Sequence, residues 1–472
     1  MAVQFGTSGL RGLASELLDG SAARFTVAFI QHLVTCGKIK PGDEIAMGRD
    51  LRASSPDIAS ACIDALLKAG MRPVDCGVTA TPALALFAGN RGLAAIMVSG
   101  SHIPADRNGL KFYRPDGEIG KADELAIASL ANGPSPDAMA PCREGITSGN
   151  AMELYGRRYK ALGSVVSLEG HRIGVYQHSS VLRDFLPDLL TRLGAQAIPL
   201  GRSDTFVPVD TEALDPASLD CIASQARQQR LDAVVSTDAD GDRPLILDET
   251  GAQIRGDALG LLTSRLLGAQ GVATPVTSSS GSEHVLGDAV TRTRVGSPYV
   301  IEAMQQFAVG GIPTVVGFEA NGGFLTGSKT SFGGVTLDPL PTRDSTLPIL
   351  AVLHEAHRRN TTLSQLVGSL ALPASVSGRL QDYPTEASRD LMAWLAQDPG
   401  NPGRFLGSDI QRADATDGLR FELAGGEIVH LRPSGNAPEM RCYVEAASQD
   451  RASRLLEEML RRLSNRRQGG RP

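Results

Sequence analysis

A short apolar segment followed by a polar, glycine-containing loop occurs four times along this chain. Such segments are typical of buried strands. In open α/β sheets, ligands bind beside the loops at the carboxyl ends of the strands. We therefore expect an α/β fold in which the four loops face one shared cleft. The predicted strands are 94–98, 231–236, 314–317 and 427–431.

Chain length and two turn-forming segments indicate several domains. At about 150 residues per domain, 472 residues suggest roughly three. Segments 132–137 (Asn-Gly-Pro-Ser-Pro-Asp) and 372–375 (Leu-Pro-Ala-Ser) interrupt the helix and strand patterns and are predicted linkers. A further boundary near residue 252 is predicted from spacing. Amphipathic segments such as 58–70 alternate with the strands, which favours α/β layers throughout.

Charge, cysteine spacing and hydropathy exclude several classes of protein. The formal net charge is −6, whereas nucleic-acid binding favours a basic face, so we expect no nucleic-acid partner. Six scattered cysteines form neither a C-x-x-C pair nor a metal-type spacing, as expected for reduced thiols in the cytosol. Because neither a signal-peptide pattern nor an apolar run of ~20 residues occurs, we expect no membrane association and a cytoplasmic location.

The first loop carries a serine next to a histidine, with a lysine ten residues after the serine. These residues are Ser101, His102 and Lys111. A serine hydroxyl is a weak nucleophile until a neighbouring base accepts its proton. No G-x-S-x-G motif surrounds Ser101, so a hydrolase elbow is not indicated. By itself, a Ser-His pair is more typical of a solvated turn than of a catalytic site.

The second loop places three aspartates at alternate positions. Asp238, Asp240 and Asp242 would repel one another without a cation, and oxygen ligands suit Mg²⁺. An EF-hand would use Glu249 as its twelfth residue, but Arg243 stands where its turn glycine belongs and a strand is predicted to follow. The loop therefore predicts a metal site, with a solvated acidic turn as the alternative.

The third and fourth loops carry groups suited to a phosphorylated sugar. In the third, Glu319 and Asn321 lie beside glycines and could bind vicinal hydroxyls, although an ordinary turn is an equal alternative. The fourth combines arginine, hydroxyl, amide and backbone N–H groups, as in a phosphate cradle, and a plain loop is again an even alternative. Its candidate residues are Arg432, Ser434, Gly435, Asn436 and Arg441.

Taken in order, these loops resemble those of the α-D-phosphohexomutase family, which includes phosphomannomutases and phosphoglucomutases. Residues 5–12 (Phe-Gly-Thr-Ser-Gly-Leu-Arg-Gly) are similar to the N-terminal signature of that family, and residues 48–55 and 79–82 to two further segments. The resemblance extends from residue 5 to residue 445. It implies an isomerase that interconverts hexose 6-phosphate and hexose 1-phosphate through a phosphoserine and a hexose 1,6-bisphosphate intermediate.

The resemblance implies four domains rather than three. Three related α/β domains with mixed sheets and a smaller α+β C-terminal domain would surround a central cleft. The expected bounds are 1–140 with the phosphoserine loop, 141–252 with the metal-binding loop, 253–370 with the sugar-binding loop, and 371–472 with the phosphate-binding loop.

The resemblance also implies a role for each candidate residue. Ser101 would carry the phosphate, Arg11 and Arg243 would neutralise it, and Lys111 or His102 would transfer a proton. The implied Mg²⁺ ligands are Asp238, Asp240, Asp242 and the phosphate on Ser101. The implied substrate contacts are Glu319 and Asn321 for the sugar, and Arg432, Ser434, Gly435, Asn436 and Arg441 for the distal phosphate.

Several positions depart from the family pattern. The family's sugar loop often reads G-E-x-S-G-H, and here Asn321 and Gly323 stand in place of the serine and the histidine. Asn436-Ala437 stands in place of a Thr-Glu pair, and Ser297 stands where a basic residue often follows Val295-Gly296. These changes affect the sugar preference rather than the chemistry. The loops are most similar to the bacterial phosphomannomutase branch, which favours mannose, with glucose as a second substrate.

Three alternatives remain at this stage. A phosphoglucosamine mutase would share the fold and the chemistry, a metal-dependent phosphatase would release inorganic phosphate, and a regulator would bind sugar phosphates without turnover. The presence of Ser101, the three aspartates and Lys111 argues against the regulator, because degenerate scaffolds usually lose one of them. The expected partners are hexose phosphates only, with hexose 1,6-bisphosphate as activator, and the expected state is a monomer or a homodimer.

Overall fold

The computed structural model describes residues 3–6, 9–133, 145–434 and 438–467. Four open sheets follow one another along this part of the chain, and a two-stranded hairpin accompanies the third. We number the open sheets 1 to 4 in chain order. Sheets 1 to 3 mix parallel and antiparallel strands, whereas sheet 4 is antiparallel throughout. The expected mixed-sheet α/β architecture with a different C-terminal unit is confirmed.

Sheet 1 has helices on both faces. Its strands are β1 (Gln4–Phe5), β2 (Leu10–Leu13), β3 (Glu44–Arg49), β4 (Arg72–Val78), β5 (Ala94–Val98), β6 (Arg107–Arg114), β7 (Gly117–Glu118) and β8 (Thr147–Ser148). Its helices are α1 (Ala14–Glu16), α2 (Ala22–Thr35), α3 (Ser55–Lys68), α4 (Thr81–Arg91) and α5 (Lys121–Asn132), with a π-helical turn at Leu17–Ser21. Strand β5 is buried along its whole length: Ile96 packs into the core under α2 and α3, and Met97 into the core under α4. A continuous apolar run is what a strand covered on both faces requires.

Sheet 2 is smaller and has three parallel strands and one antiparallel strand. Its strands are β9 (Arg172–His178), β10 (Gln196–Arg202), β11 (Ala233–Thr237) and β12 (Pro244–Leu247). Its helices are α6 (Ala151–Lys160), α7 (Phe185–Arg192) and α8 (Pro216–Gln229), with a 3₁₀ turn at Ala161–Ser164. Helix α8 begins where the sequence directs: the Asp215 side chain accepts a hydrogen bond from the Ser218 N–H, and Pro216 occupies the first turn.

Sheet 3 repeats this arrangement with one more antiparallel strand. Its strands are β13 (Gly271–Pro275), β14 (Val290–Thr293), β15 (Val315–Phe318), β16 (Phe324–Thr326) and β19 (Leu340–Asp344), and β17 (Thr330–Phe332) and β18 (Val335–Leu337) form the hairpin. Its helices are α9 (Gly256–Leu266), α10 (Ser282–Leu286), α11 (Ser297–Val309), α12 (Thr346–Arg359) and α13 (Leu363–Gly368), with a 3₁₀ turn at Gly287–Ala289. Helix α11 covers one face, and α9 and α12 cover the other.

Sheet 4 has its own apolar core. Its strands are β20 (Ala374–Leu380), β21 (Ile410–Asp414), β22 (Leu419–Leu423), β23 (Ile428–Pro433) and β24 (Met440–Ala446). Its helices are α14 (Thr385–Gln397), α15 (Gly400–Leu406) and α16 (Gln449–Arg467). One continuous core joins side chains from sheets 1, 2 and 3, whereas the core of sheet 4 contains only residues 374–463. The first three units therefore form one packed block, with the fourth beside it.

Each of the four polar loops connects two neighbouring antiparallel strands of its sheet. Three connect a parallel strand to an antiparallel neighbour: β5 to β6, β11 to β12, and β15 to β16. The fourth connects β23 to β24.

Over the described ranges, no helix is both long and apolar enough to cross a membrane.

Candidate active site

Ser101 lies in a strained backbone conformation at the end of β5. Its φ of 53° is in the left-handed region, which costs a residue other than glycine about 1–3 kcal/mol unless its surroundings impose it. The side-chain oxygen of Ser99 accepts a hydrogen bond from the Ser101 N–H at 2.8 Å. Only 1% of Ser101 is exposed, so the loop presents a fixed, buried hydroxyl.

Arg52 holds this loop in place from beneath. Its guanidinium donates to the carbonyl oxygens of Ser101 (2.8 Å), Ile103 (2.6 Å), Pro104 (2.7 Å) and Arg107 (2.9 Å). Because one rigid fork binds four carbonyls, the loop cannot change shape without breaking several hydrogen bonds. Arg52 is 1% exposed, so these bonds are sheltered from water.

The three aspartates of the second loop converge. Asp238, Asp240 and Asp242 are fully buried, and each offers an oxygen within 4.8 Å of the oxygens offered by the other two. Oδ1 of Asp240 and Oδ1 of Asp242 have no hydrogen-bond partner among the described residues. Buried carboxylate oxygens without partners are costly unless a cation binds them. Three convergent carboxylates, two of which keep an Oδ1 atom without a hydrogen bond, fit a divalent metal that prefers oxygen ligands.

The first two loops meet at Ser101 and Asp238. The Ser101 hydroxyl donates to Oδ2 of Asp238 at 2.5 Å. Oδ1 of Asp238 accepts from the backbone N–H groups of Asp242 (3.1 Å) and Arg243 (3.2 Å), which orients the carboxylate. A second contact joins the same two units, since the Thr81 hydroxyl donates to Oδ2 of Asp240. The candidate nucleophile and the candidate metal ligands therefore form one site.

The pKa values of the aspartates diverge within this cluster. Burial, followed by the charges of Asp242 and Asp240, raises the pKa of Asp238 well above its ordinary value. Burial acts in the same direction on Asp242, but Arg343, Lys111 and Arg243 outweigh it and lower the pKa of that carboxyl. Neighbouring cations thus concentrate negative charge on Asp242.

Lys111 neutralises two of the aspartates. Its Nζ donates to Oδ2 of Asp240 and to Oδ2 of Asp242, each at 2.5 Å. Burial alone would lower the pKa of Lys111, but the charges of Asp240 and Asp242 outweigh burial and raise it. Lys111 is therefore a cation in this arrangement.

His102 is a neutral hydrogen-bond acceptor. Arg243 donates to its Nδ1 at 2.9 Å, and the same nitrogen lies 3.3 Å from Oγ of Ser101. Burial, followed by the charges of Arg243 and Arg11, lowers the pKa of His102 far below its ordinary value. With the Nδ1 lone pair directed at Arg243, this histidine orients the serine loop more readily than it removes a proton.

Arg11 and Arg243 make this end of the cleft positive. Burial, then the charges of Arg243 and Arg343, lowers the pKa of Arg11 to about 10, which still leaves it protonated at neutral pH. No ion pair neutralises Arg11 among the described residues, so its charge is available to an anion such as a phosphate group.

The sugar-loop candidates lie across the cleft and contact the metal loop through a third residue. Glu319 and Asn321 are buried, and Oδ1 of Asn321 accepts from the Gly323 N–H at 2.9 Å. NH1 of Arg343 donates to Oε2 of Glu319 at 2.9 Å, while NH2 of Arg343 donates to Oδ2 of Asp242 at 2.7 Å. The structure thus links the second and third loops through a buried arginine.

The phosphate-loop candidates line a separate part of the cleft. Nε of Arg432 donates to Oδ2 of Asp417 at 2.9 Å, and Arg441 lies 3.6 Å from Glu439. The Ser434 N–H donates to the Glu439 carbonyl oxygen at 2.9 Å. Gly435 and Asn436 fall outside the described residues. A cavity of about 330 Å³ adjoins Arg432, and its lining includes Gly6, Lys121, Arg294 and Asp417.

The fourth loop is linked to the second and third loops through electrostatic interactions with a carboxylate of the second unit. Glu212 interacts electrostatically with Arg243, Glu319 and Arg441, which belong to the second, third and fourth loops. These loops therefore face one cleft, as their positions in the sequence predicted.

Sequence reasoning missed three contributors. Arg52 belongs to a segment with a family resemblance, but its four carbonyl contacts lie 49 to 55 residues away. Thr81 lies at the start of a helix, and Arg343 at the end of a strand outside the four loops. Arg52 and Thr81 belong to the segments 48–55 and 79–82 that resemble the family, whereas no local signal marks Arg343; the contacts of all three are created only by the assembled fold.

Family models and known proteins match this chain over nearly its whole length. The four "Phosphoglucomutase/phosphomannomutase" domain models match residues 2–136 (domain I), 158–251 (domain II), 255–372 (domain III) and 376–462 (C-terminal domain). A phosphomannomutase from Sinorhizobium fredii is 50% identical over 98% of both chains. One from Salmonella muenchen is 42% identical over 98% of this chain and 96% of its own. A phosphoglucomutase/phosphomannomutase family protein from Burkholderia thailandensis has the same fold, with a TM-score of 0.76 at 18% identity, covering 100% of this chain and 99% of its own.

Proposed function

The chain belongs to the phosphoglucomutase/phosphomannomutase family, and we propose that it interconverts mannose 6-phosphate and mannose 1-phosphate through a phosphate carried on Ser101. It is a hexose-phosphate mutase and thus an isomerase. Mannose is favoured because the relatives at 50% and 42% identity are phosphomannomutases. Glucose phosphates are proposed as second substrates. We further propose that the four domains extend over 1–140, 141–252, 253–370 and 371–472.

The observation that carries this proposal is the contact between Ser101 and the aspartate cluster. A buried serine hydroxyl held 2.5 Å from one of three convergent carboxylates suits reversible phosphoryl transfer to and from oxygen. Such transfer demands in-line positioning and neutralisation of charge more than covalent chemistry. Arg52 supplies the positioning, and Arg11 and Arg243 supply the neutralisation.

Asp238, Asp240 and Asp242 would hold Mg²⁺, whose chemistry there is that of a Lewis acid toward phosphoryl oxygens. The two carboxylate oxygens without partners support this assignment. Lys111 occupies Oδ2 of both Asp240 and Asp242, which leaves their Oδ1 atoms for the ion.

Proton transfer from the attacking sugar hydroxyl is the role proposed for Lys111 or His102. Lys111 can accept a proton only after Asp240 and Asp242 are engaged by another cation, because those carboxylates raise its pKa. His102 can accept one only after Arg243 turns from Nδ1 to the phosphate. Loading of the site is therefore proposed to make a proton acceptor available.

The distal phosphate site is proposed to lie at the fourth loop. Arg432 and Arg441 provide the cations, and Ser434, Gly435 and Asn436 the hydroxyl, backbone and amide donors. Hexose 1,6-bisphosphate must turn so that either phosphate can face Ser101, and the activator role proposed for it follows from that turn. A separate apolar core in sheet 4 supports opening of the cleft during the turn. Hexose phosphates are the proposed partners of a monomer or homodimer.

The test is a ³¹P NMR assay with Mg²⁺ and a trace of hexose 1,6-bisphosphate. Mannose 1-phosphate, glucose 1-phosphate and glucosamine 1-phosphate are supplied in parallel. Conversion of mannose 1-phosphate to the 6-phosphate at the highest kcat/KM is expected. Conversion of glucosamine 1-phosphate alone would reassign the substrate, and release of inorganic phosphate would identify a phosphatase instead.

A further inference from the structure

Arg343 connects the sugar loop to the metal loop through a single guanidinium. Its Nε and NH2 both donate to Oδ2 of Asp242, at 3.1 and 2.7 Å, and its NH1 donates to Oε2 of Glu319 at 2.9 Å. Arg343 is 3% exposed, so water does not compete for these bonds. A planar guanidinium fixes both the distance and the angle between the two carboxylates.

Two residues near Arg343 anchor its segment to strand β7 of sheet 1 and to the metal loop. The Thr342 hydroxyl donates to Oε1 of Glu118 in sheet 1 at 2.5 Å, and the Ser345 hydroxyl donates to the Gly241 carbonyl oxygen in the metal loop at 2.7 Å. Thr342 in β19 and Ser345 directly after it therefore contact the first and second units, respectively. Arg343 extends from a segment that is fixed on both sides.

Gly323 leaves the space that Arg343 fills. A Cβ atom at position 323 would lie 2.6, 2.8 and 3.0 Å from Cδ, Cγ and Cβ of Arg343. These atoms belong to the base of the side chain, which has little freedom to move aside. A side chain at 323 and the present position of Arg343 thus exclude each other, which accounts for a glycine at this place in the sugar loop.

We propose that Arg343 is a positioning residue for sugar recognition, which sets the place of the Glu319 carboxylate relative to the metal loop and so to Ser101. The inference rests on the proposed function and adds a residue to it. The bisphosphate must bind in two orientations, and in each the sugar must lie at the same distance from Ser101. A rigid link between the sugar contact and the metal loop meets that requirement, since both orientations meet the same fixed carboxylate.

The test compares Arg343→Lys and Arg343→Ala with the wild type in KM, kcat and Mg²⁺ half-saturation. The single ammonium of Arg343→Lys keeps the charge but cannot span both carboxylates. We expect KM for the hexose phosphate to rise about 10- to 100-fold, with Mg²⁺ half-saturation within about threefold of the wild type. A merely structural role would instead weaken metal and sugar binding together, and that result would overturn the proposal.

Two further variants keep the test decisive if Arg343→Ala does not fold. Gly323→Ala should reproduce the rise in KM, because it displaces Arg343. In a double variant, Arg343→Lys should raise KM little beyond the effect of Glu319→Gln, since both substitutions act through one carboxylate. Multiplicative losses in that double variant would contradict the link. Arg462→Ala is the control and should leave KM unchanged, because it removes an arginine of α16 that pairs with Glu458 and with the Phe405 carbonyl of α15. Absence of mutase activity in the wild type would reject the proposed function rather than this role.

Discussion

The hydroxyl oxygen of Ser101 lies 2.5 Å from Oδ2 of Asp238, although 137 residues separate them in the chain. Sheet 1 supplies the serine and sheet 2 the carboxylate, so neither unit contains the site alone. The shared apolar core beneath sheets 1 to 3 holds the two loops together. The chemistry of this enzyme thus depends on packing between units as much as on the loops themselves.

Metal binding should depend on Asp240. Replacement by asparagine removes a carboxylate whose Oδ1 is free for a cation, so Mg²⁺ half-saturation should rise at least about 10-fold. The wild type should also gain about 2.7 kcal/mol of stability at a Mg²⁺ concentration 100 times its Kd. Calorimetry with and without Mg²⁺ checks this; an equal gain in Asp240→Asn would show that the ion binds elsewhere.

Arg52 should stabilise the serine loop. Arg52→Ala removes four hydrogen bonds to carbonyl oxygens and leaves buried acceptors without donors, so we expect a loss of about 2–4 kcal/mol and a fall in kcat. Arg52→Lys should recover part of the stability but not the loop geometry. Urea unfolding and steady-state kinetics measure the two effects. Wild-type kcat in either variant would mean that the loop is held by other contacts.

Acid should destabilise the fold through two buried histidines. Burial lowers the pKa of His178 to about 4 from 6.5, so below pH 6.5 the unfolded chain binds a proton that the native protein does not. The free energy of unfolding should therefore fall as the pH drops from about 6.5 to about 4, by roughly 3 kcal/mol for this group. His430 shows the same lowered pKa of about 4.

The variant His178→Gln isolates the contribution of His178. Its amide can still donate to the Thr237 carbonyl, as Nε2 of His178 does, but it does not titrate. The part of this acid sensitivity that comes from His178 should disappear, and His430 and His102, whose pKa values are also lowered, should supply what remains. Unfolding midpoints measured between pH 7 and pH 4 test this. An unchanged slope would exclude His178 as a source.

Arg432 should bind the distal phosphate. Arg432→Ala is expected to raise KM for hexose phosphates about 10- to 100-fold, because a charge-assisted contact is lost. Arg451→Ala is the matched control. Arg451 pairs with Glu427, which directly precedes β23, whereas Arg432 lies near the far end of that strand. Equal effects of the two substitutions on KM would argue that sheet 4 was disturbed as a whole.

Much of the site could be predicted because its chemistry lies in continuous loops. The strand at 94–98 has the predicted bounds, and the strand predicted to follow the aspartates is β12. What periodicity could not show is that all four loops return into antiparallel neighbours, because strand pairing is a long-range property. The predicted linker at 372–375 overlaps the start of β20 at Ala374, where pairing with β24 overrides the local Pro and Ser signal.

Arg52 and Arg343 show the limit of the approach. Both are buried arginines whose partners come from distant segments, and neither the segment that contains Arg52 nor the surroundings of Arg343 in the sequence identify those partners. Their roles follow from the rule that every buried charge requires partners, and those partners can be identified only when the fold is known. The loops supply the reacting groups, and these arginines set their relative positions.

The most direct test of the account is the chemical state of Ser101 during turnover. The protein is incubated with Mg²⁺ and hexose 1,6-bisphosphate, digested, and examined by mass spectrometry before and after addition of mannose 6-phosphate. We predict phosphate on Ser101 that, when introduced with an isotopic label and freed of excess bisphosphate, passes its label to the sugar phosphates once the monophosphate is added, and in Ser101→Ala an absence of that phosphate with turnover reduced at least about a thousandfold. Full turnover with Ser101 unmodified, or wild-type activity in Ser101→Ala, would contradict the central claim.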